Sequence, residues 1–389
     1  MAHPLLPETV GLLRDLVAFP TVSADSNLDL IAYVGERLEG IGARVRVTND
    51  PGGRKANVFA SIGPGEPGGV VLSGHTDVVP VEGQAWSSDP FDLVERDGRF
   101  FGRGSCDMKG FIAAALAFAP RYAAQPLARP IHFAFTYDEE VGCLGAQVML
   151  ADLAAAGIVP TTCIVGEPTG MRIIEGHKGC CEYTTTFVGT EGHASRTDLG
   201  VNAIEYAARY IARLLEIGET LKARAPAGSA FAPPWSTIQA GRIQGGVSRN
   251  TVAGKCAVEW ELRPVNDEDF RYARQAIEAY VARDLLPAMR RTAPHADIVT
   301  EVIGEVAGLV PMTPNEAEAL VRALTGDAEP AQLVSFGTEA GLFQQHGVAT
   351  VICGPGFIEQ AHKPDEFIAP AQLDACLEML EGLPRSLAR

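Results

Sequence analysis

The sequence lacks long apolar runs, an excess of basic residues and paired cysteine motifs. No stretch approaches the ~20 apolar residues that a membrane-spanning helix needs, and the first residues lack the basic and apolar segments of a secretory signal. The formal net charge of −16 argues against nucleic acid or an anionic membrane surface as a partner. We therefore expect a cytoplasmic protein that binds neither.

Cysteine is present, but not in a pattern typical of zinc ligands or disulfides. None of the eight cysteines stands in a C-x-x-C pair, and several, such as Cys163, lie among apolar residues. In a reducing cytoplasm such residues are expected to be buried thiols. Histidine and carboxylate side chains are therefore the candidates for a metal site.

The length of 389 residues and the order of the predicted elements indicate two domains. Strands alternate with helices in the first and last parts of the chain, which is typical of a mixed, largely parallel sheet with helices on both faces. Between them, Glu182–Val188 and Ala257–Arg263 alternate apolar and polar residues, as antiparallel strands with one exposed face do. We predict an α/β domain interrupted by an inserted α+β domain, divided as 1–178 and 292–389 for the first and 179–291 for the second.

The most informative stretch is the one around His75. The run Val70–Leu72 is apolar and β-branched, so it predicts a buried strand that delivers His75 and Asp77 from its end. Residues two apart lie on the same side of an extended segment, so the imidazole could bind a metal while the carboxylate accepts its other N–H. A core histidine beside an aspartate in a turn fits the tripeptide His75-Thr-Asp77 equally well.

Acidic residues follow two further predicted core strands. Ile131–Tyr137 and Thr162–Val165 are both apolar runs, and ligands of such sheets collect at the carboxyl ends of the strands. Two histidines and several carboxylates without cysteine suit a hydrolytic zinc or cobalt site better than a structural zinc site. The candidate residues are His75, Asp77, Asp107, Glu139, Glu140, Glu167 and His362.

Simpler interpretations of these residues remain open at this point. Glu139 and Glu140 could form a solvated helix cap, Glu167 a turn before proline, and His362 a surface loop. In favour of a site, adjacent side chains point apart, so one glutamate could bind a metal while the other acts as general base. A carboxylate can also bridge two metals, but the residues alone do not decide between one ion and two.

Five motifs in order resemble those of the M20 co-catalytic metallopeptidases. They are Ser73-Gly-His-Thr-Asp77, Gly102-Arg-Gly-Ser-Cys-Asp-Met-Lys109, Asp138-Glu-Glu140, Gly166-Glu-Pro-Thr169 and Ala361-His-Lys-Pro-Asp-Glu366. The likeness runs from about Phe19 to the end of the chain. It implies a zinc-exopeptidase-like catalytic domain with an inserted lid domain that also forms a homodimer.

The resemblance also implies a metal centre with two zinc ions per subunit, or cobalt in their place. His75 and Glu167 would bind one ion, Glu140 and His362 would bind the other, and Asp107 would bridge the two.

The resemblance assigns the chemistry of the site as well. Asp77 would orient His75, and Glu139 would take a proton from the attacking water and later give it to the leaving amine. The family also implies a cis peptide bond between Asp107 and Met108.

Three further residues match family positions in the inserted domain. Gly192-His193-Ala-Ser-Arg196 is similar to a lid motif whose imidazole stabilises the oxyanion in the partner subunit's site, which implies a homodimer. A histidine that merely precedes a helix, with Asn202 near its cap, is the alternative. Asn250 and Arg263 match positions near the substrate; arginine can bind both oxygens of a carboxylate, although Arg263 could equally form a surface ion pair.

The run Gly337-Thr338-Glu339-Ala-Gly341 resembles the subgroup that deacetylates N-acetyl-L-ornithine. We expect Gly337, Thr338 and Glu339 near the substrate, with Glu339 contacting a substrate ammonium. A desuccinylase of succinyl-diaminopimelate and a broader N-acyl-amino-acid or peptide hydrolase are alternatives with the same chemistry. A metal-binding scaffold without catalysis is the alternative of another class, and an intact Glu139 argues against it.

Overall fold

The computed structural model describes residues 2–65 and 67–387. Its strands, numbered along the chain, are β1 Arg44–Asn49, β2 Ala56–Ile62, β3 Val70–His75, β4 Val94–Arg96, β5 Arg99–Phe101, β6 Ile131–Thr136, β7 Thr162–Val165, β8 Ile174–His177, β9 Cys180–Val188, β10 Gly192–His193, β11 Thr237–Gly245, β12 Thr251–Val252, β13 Lys255–Arg263, β14 Asp297–Val306, β15 Gln332–Val334, β16 Ala349–Ile352 and β17 Phe367–Ile368.

The helices are numbered in the same way. They are α1 Leu6–Val17, α2 Leu28–Gly40, α3 Lys109–Ala123, α4 Leu144–Ala155, α5 Ala203–Ala223, α6 Asp267–Tyr280, α7 Leu286–Arg290, α8 Glu316–Thr325, α9 Ala340–Gln345 and α10 Pro370–Ser386. Among the described residues, no helix is both long enough and apolar enough to cross a bilayer.

The chain divides into two compact units. The first consists of Met1–Gly176, Pro311–Leu333 and Thr338–Arg389, and the second of His177–Val310 and Val334–Gly337. The sequence prediction ended the inserted segment at residue 291, whereas the second unit continues to Val310 because strand β14 belongs to its sheet.

An eight-stranded sheet forms the centre of the first unit, in the order β1-β2-β6-β3-β7-β16-β8-β15. The four strands β6, β3, β7 and β16 pair in parallel, and the pairs β1/β2, β2/β6 and β16/β8 are antiparallel. Every residue of β2, β3, β6 and β7 is buried, so both faces of the sheet are covered. The predicted mixed α/β architecture is confirmed.

Small residues let helix α3 lie directly against this sheet. The helix is rich in alanine and nearly all of it is buried. A Cβ atom added to Gly166, just after β7, would lie 2.0 Å from Cγ of Phe111, so only glycine allows this approach. The contact fixes the chain immediately before Glu167.

The second unit contains an antiparallel sheet in the order β11-β13-β9-β14. Residues Cys256, Val258, Trp260 and Leu262 of β13 are buried in alternation with more exposed ones, as the sequence pattern predicts. Strands β11 and β14 escape sequence prediction. In β14, Val299, Val302 and Ile303 are about half exposed, so apolar residues on the outer face obscure the period of two.

Candidate metal centre

The predicted ligands come together because three parallel strands end side by side. Strand β3 pairs with β6 on one side and β7 on the other, with His75 opposite Thr136 and Ser73 opposite Val165. The acidic turn after β6 and Glu167 after β7 therefore emerge at the same edge of the sheet as His75.

One carboxylate lies between two histidines. Oδ1 of Asp107 is 3.0 Å from Nε2 of His75, and Oδ2 of Asp107 is 3.2 Å from Nε2 of His362. His75 Nε2 is also 3.7 Å from Oε1 of Glu167, and His362 Nε2 is 3.1 Å from Oε2 of Glu140. Ligand atoms of His75, Asp107 and Glu140 all lie within 4.8 Å of one another, which is the spacing around a shared cation. A second group with the same spacing is formed by His75, Glu139 and Glu167.

The protonation of His75 shows that this cluster suits a cation. Nδ1 of His75 lies 2.9 Å from the backbone carbonyl oxygen of Asp77, which can only accept, so Nδ1 carries the proton. Burial lowers the pKa of His75, but the hydrogen bond to Asp107 and the charge of Glu167 outweigh it and raise that pKa well above its usual value, so a proton is favoured between Nε2 and the Asp107 carboxylate. Two acceptors at 3.0 Å need a proton or a metal ion between them, and the chemistry of the donor set fits a divalent ion.

The pKa values of the cluster show the same demand for positive charge. Burial, together with the charges of Glu140 and Asp107, raises the pKa of Glu139 well above its usual value. Burial disfavours the charged form of Asp107 too, but hydrogen bonds from His362 and His75 outweigh it and lower the pKa of Asp107. Hydrogen bonds to Asp107 and Glu140 raise the pKa of His362 to about 10.

Asp77 supports the site in a different way from the one the sequence predicts. Its Oδ1 accepts from the backbone N–H of Glu139 at 3.0 Å, and its Oδ2 accepts from that of Glu140 at 3.3 Å and from the Ser23 hydroxyl at 2.7 Å. Its carboxylate is 3.6 Å from Nδ1 of His75, farther than its own carbonyl oxygen. Asp77 therefore orients His75 through its backbone and holds the two glutamates with its side chain.

The turn that carries the two glutamates has a second support. Asp138 has a φ of 53°, and both of its carboxylate oxygens accept from Nζ of Lys55, at 2.5 and 2.7 Å. Lys55 was not singled out in the sequence, because a lone lysine before a strand has no distinctive pattern. The peptide bond between Asp107 and Met108 is cis, as the family resemblance implies.

His193, Asn250 and Arg263 lie in the second unit. His193 is on β10, which pairs with β12, and the N–H of Ala194 donates to the carbonyl oxygen of Asn250, so His193 and Asn250 are neighbours. The imidazole is exposed and its Nδ1 is 2.7 Å from the Ser195 hydroxyl. Arg263 forms an ion pair with Glu261 at 3.0 Å, which is the simpler of its two predicted interpretations.

The other predicted substrate contacts lie at a boundary in the chain. Gly337 belongs to the second unit, and a Cβ atom added to it would lie 3.7 Å from Cβ of Cys180. Thr338 begins the return to the first unit, and its hydroxyl accepts from the N–H of Ala340 at 3.1 Å just before α9.

The structure argues against the predicted role of Glu339. Its side chain is 1% exposed, and its oxygens accept from the hydroxyls of Ser73 and Thr136, the latter at 2.8 Å. A carboxylate enclosed by two buried hydroxyls does not fit a contact with a substrate ammonium. Since Ser73 and Thr136 stand on β3 and β6, Glu339 instead supports the strand ends that carry the ligands.

Known proteins match both the sequence and the fold. The family described as Peptidase family M20/M25/M40 matches residues 71–386. An acetylornithine deacetylase of Proteus mirabilis is 34% identical over 386 residues, covering 97% of this chain and 96% of the relative. One of Pasteurella multocida is 31% identical over 97% of both chains.

Solved structures show the same fold at lower sequence identity. The M20 metallo-carboxypeptidase Sso-CP2 of Sulfolobus solfataricus superposes with a TM-score of 0.74 at 16% identity, covering 97% of this chain and 98% of that one. A dinuclear metal-binding M20 peptidase of Bacillus subtilis gives 0.64 at 17% identity over 98% of both chains.

Fold, site and matches together define a metal-dependent hydrolase. The chain belongs to peptidase family M20/M25/M40, as its five motifs predict.

Proposed function

We propose that this protein hydrolyses the amide of N-acetyl-L-ornithine to L-ornithine and acetate, a cytoplasmic step of arginine synthesis. The observation that carries hydrolysis is the Asp107 carboxylate between His75 and His362, with Glu139 in the same cluster. The choice of substrate is supported by the name shared by relatives at 31% and 34% identity over nearly the whole chain.

We further propose that the cluster holds two zinc ions, with cobalt as an alternative. His75 and Glu167 would hold one ion, His362 and Glu140 would hold the other, and Asp107 would be shared. Such ions supply Lewis acidity, which polarises the scissile carbonyl and lowers the pKa of water. The two separate carboxylate–histidine contacts of Asp107 support this division.

Glu139 is the proposed general base. Its backbone is held by Asp77, and its Oε1 accepts from the Cys143 thiol at 3.5 Å, so the carboxylate is kept at the cluster beside the proposed ligands. It would take a proton from the attacking water as the new bond to the acetyl carbon forms. It would then give that proton to the nitrogen as the carbon–nitrogen bond breaks.

A substrate panel tests the proposed activity. We expect kcat/KM for N-acetyl-L-ornithine to exceed that for N-succinyl-diaminopimelate, N-acetylmethionine and a neutral dipeptide by about 100-fold, because a site that hydrogen-bonds one substrate leaves polar groups unpaired with another. Faster turnover of another amide would refute the ornithine assignment and keep the hydrolase. A metal-loaded protein inert on the whole panel would indicate a scaffold.

His193 is the proposed oxyanion donor, acting across a homodimer. Its exposed position on β10, beside Asn250, supports this role, and its loss should lower kcat by about 10²–10³-fold. His193→Ala and Glu139→Gln subunits, each inactive alone, should regain about a quarter of wild-type activity when unfolded together in equal amounts and refolded, since half of the dimers then contain one intact site. Absence of any recovery, with dimers present by sedimentation, would show that His193 does not act across subunits.

A further inference from the structure

A buried carboxylate holds the loop that presents Asp107. Strand β17 pairs with β5, which places Glu366 beside the loop that follows β5. Oε1 of Glu366 accepts from the backbone N–H groups of Cys106 and Asp107 at 2.9 and 3.0 Å, and Oε2 accepts from that of Gly104 at 3.1 Å and from Nη1 of Arg103 at 2.8 Å. Both side chains of this ion pair are 1% exposed, so the contacts are sheltered from water.

The other end of Arg103 leads to His362. Nη2 of Arg103 donates to Oε1 of Gln84 at 2.5 Å, and Nε2 of Gln84 donates to the backbone carbonyl oxygen of His362 at 3.1 Å. The indole N–H of Trp86 also donates to Oε1 of Gln84, at 3.0 Å, and the Arg103 guanidinium lies over the Trp86 ring. Because two donors fix the amide oxygen, the amide nitrogen is left to face His362.

His362 needs such a contact. Its φ of 59° is in the left-handed region, which a residue with a side chain adopts only when its surroundings hold it there. The side chain of His362 is also half exposed, so packing alone does not fix it.

We propose that Gln84 is a positioning residue for His362, tying its backbone through Arg103 and Glu366 to the backbone of Asp107. The inference rests on the proposed function, in which these two ligands share one ion. The hydrogen-bond chain reaches neither His75 nor Glu167 directly. Because Gln84 directly contacts only His362 among the proposed ligands, its loss should weaken the ion at His362 and Glu140 more than the ion at His75 and Glu167.

Zinc titration of the metal-free full-length protein by calorimetry tests this role. Gln84→Glu keeps an oxygen for Arg103 and Trp86 but loses the donor to His362, and Gln84→Ala loses both. Each should raise the Kd of one binding event by about 10-fold or more, the usual scale for residues that orient a ligand, and leave the other event within about twofold. Ser87→Ala is the matched control, since its hydroxyl contacts Asp365 in the same region without touching this chain of hydrogen bonds.

The outcomes separate the inference from the proposed function. Two zinc events in the wild type, both unchanged in the Gln84 variants, would overturn the inference, and so would equal weakening of both. If the wild type binds a single ion, the two-ion assignment fails, and the positioning role stands only if the Gln84 variants weaken that ion. Thermal unfolding of the metal-free variants should match the wild type, which distinguishes positioning from a general loss of stability.

Discussion

Replacing Glu139 with glutamine should lower kcat by about 10³–10⁴-fold and leave the metal content unchanged. The amide is nearly the same size but cannot take a proton from water, and general bases contribute on this scale. Glu139 is not the partner of His362, and the amide oxygen of glutamine can replace the carboxylate oxygen that lies near His75 and Glu167, so both proposed ion sites should keep their oxygen donors. Turnover per metal-loaded subunit is the measurement.

The neighbouring residue provides the matched control. Glu140 lies 3.1 Å from Nε2 of His362, so Glu140→Gln should lose metal as well as activity. If Glu139→Gln also loses metal, Glu139 is a ligand and not a base. If it retains turnover within tenfold of the wild type, another group moves the proton.

Exhaustive chelation should abolish hydrolysis, and added zinc or cobalt should restore it. Without ions, four carboxylates and two histidines share one buried cluster, whose charges must then be balanced by protons. Metal uptake should therefore release protons, which calorimetry in buffers of different ionisation enthalpy measures. An ion at 100 times its Kd also adds about 2.7 kcal/mol to the free energy of unfolding.

Asp107→Ala is the corresponding substitution. It removes the carboxylate that faces both histidines, so zinc should no longer restore activity after chelation. Asp365→Ala, at a partly exposed acid in the His362 loop that contacts Ser87, is the control and should respond to zinc as the wild type does. Full activity after complete removal of metal would refute a metal-dependent reaction in this chain.

The sheet could be predicted because its central strands are short apolar runs with polar ends. β3 ends at His75, and β6 and β7 each end two residues before an acidic residue, so the rule for parallel sheets places these side chains at one edge. The distance between His75 and Asp107 could not be obtained in this way. Only the family resemblance implied that Asp107 lies near His75, because the loop before α3 has no periodicity from which its position could be predicted.

Buried polar residues account for the main differences between the site predicted from the sequence and the site in the structure. Glu339 follows a glycine-rich run, which suggested a surface approached by a ligand, yet the structure encloses it between two hydroxyls. Glu366 and Arg103 lie in two of the five family motifs, but the sequence indicated no function for either residue. Charged residues are rarely fully buried, and a carboxylate that accepts backbone N–H groups has no spacing rule by which a sequence reveals it.

The carboxylate of Asp77 limits how this protein can diverge. Because this one side chain accepts hydrogen bonds from the backbone N–H groups of both Glu139 and Glu140, its loss would disturb proton transfer and metal binding together. At this turn, a descendant can therefore lose proton transfer and still bind the ions only by a change of the Glu139 side chain itself. Duplicated copies of this gene that have lost their chemistry should retain the aspartate and differ at the glutamate.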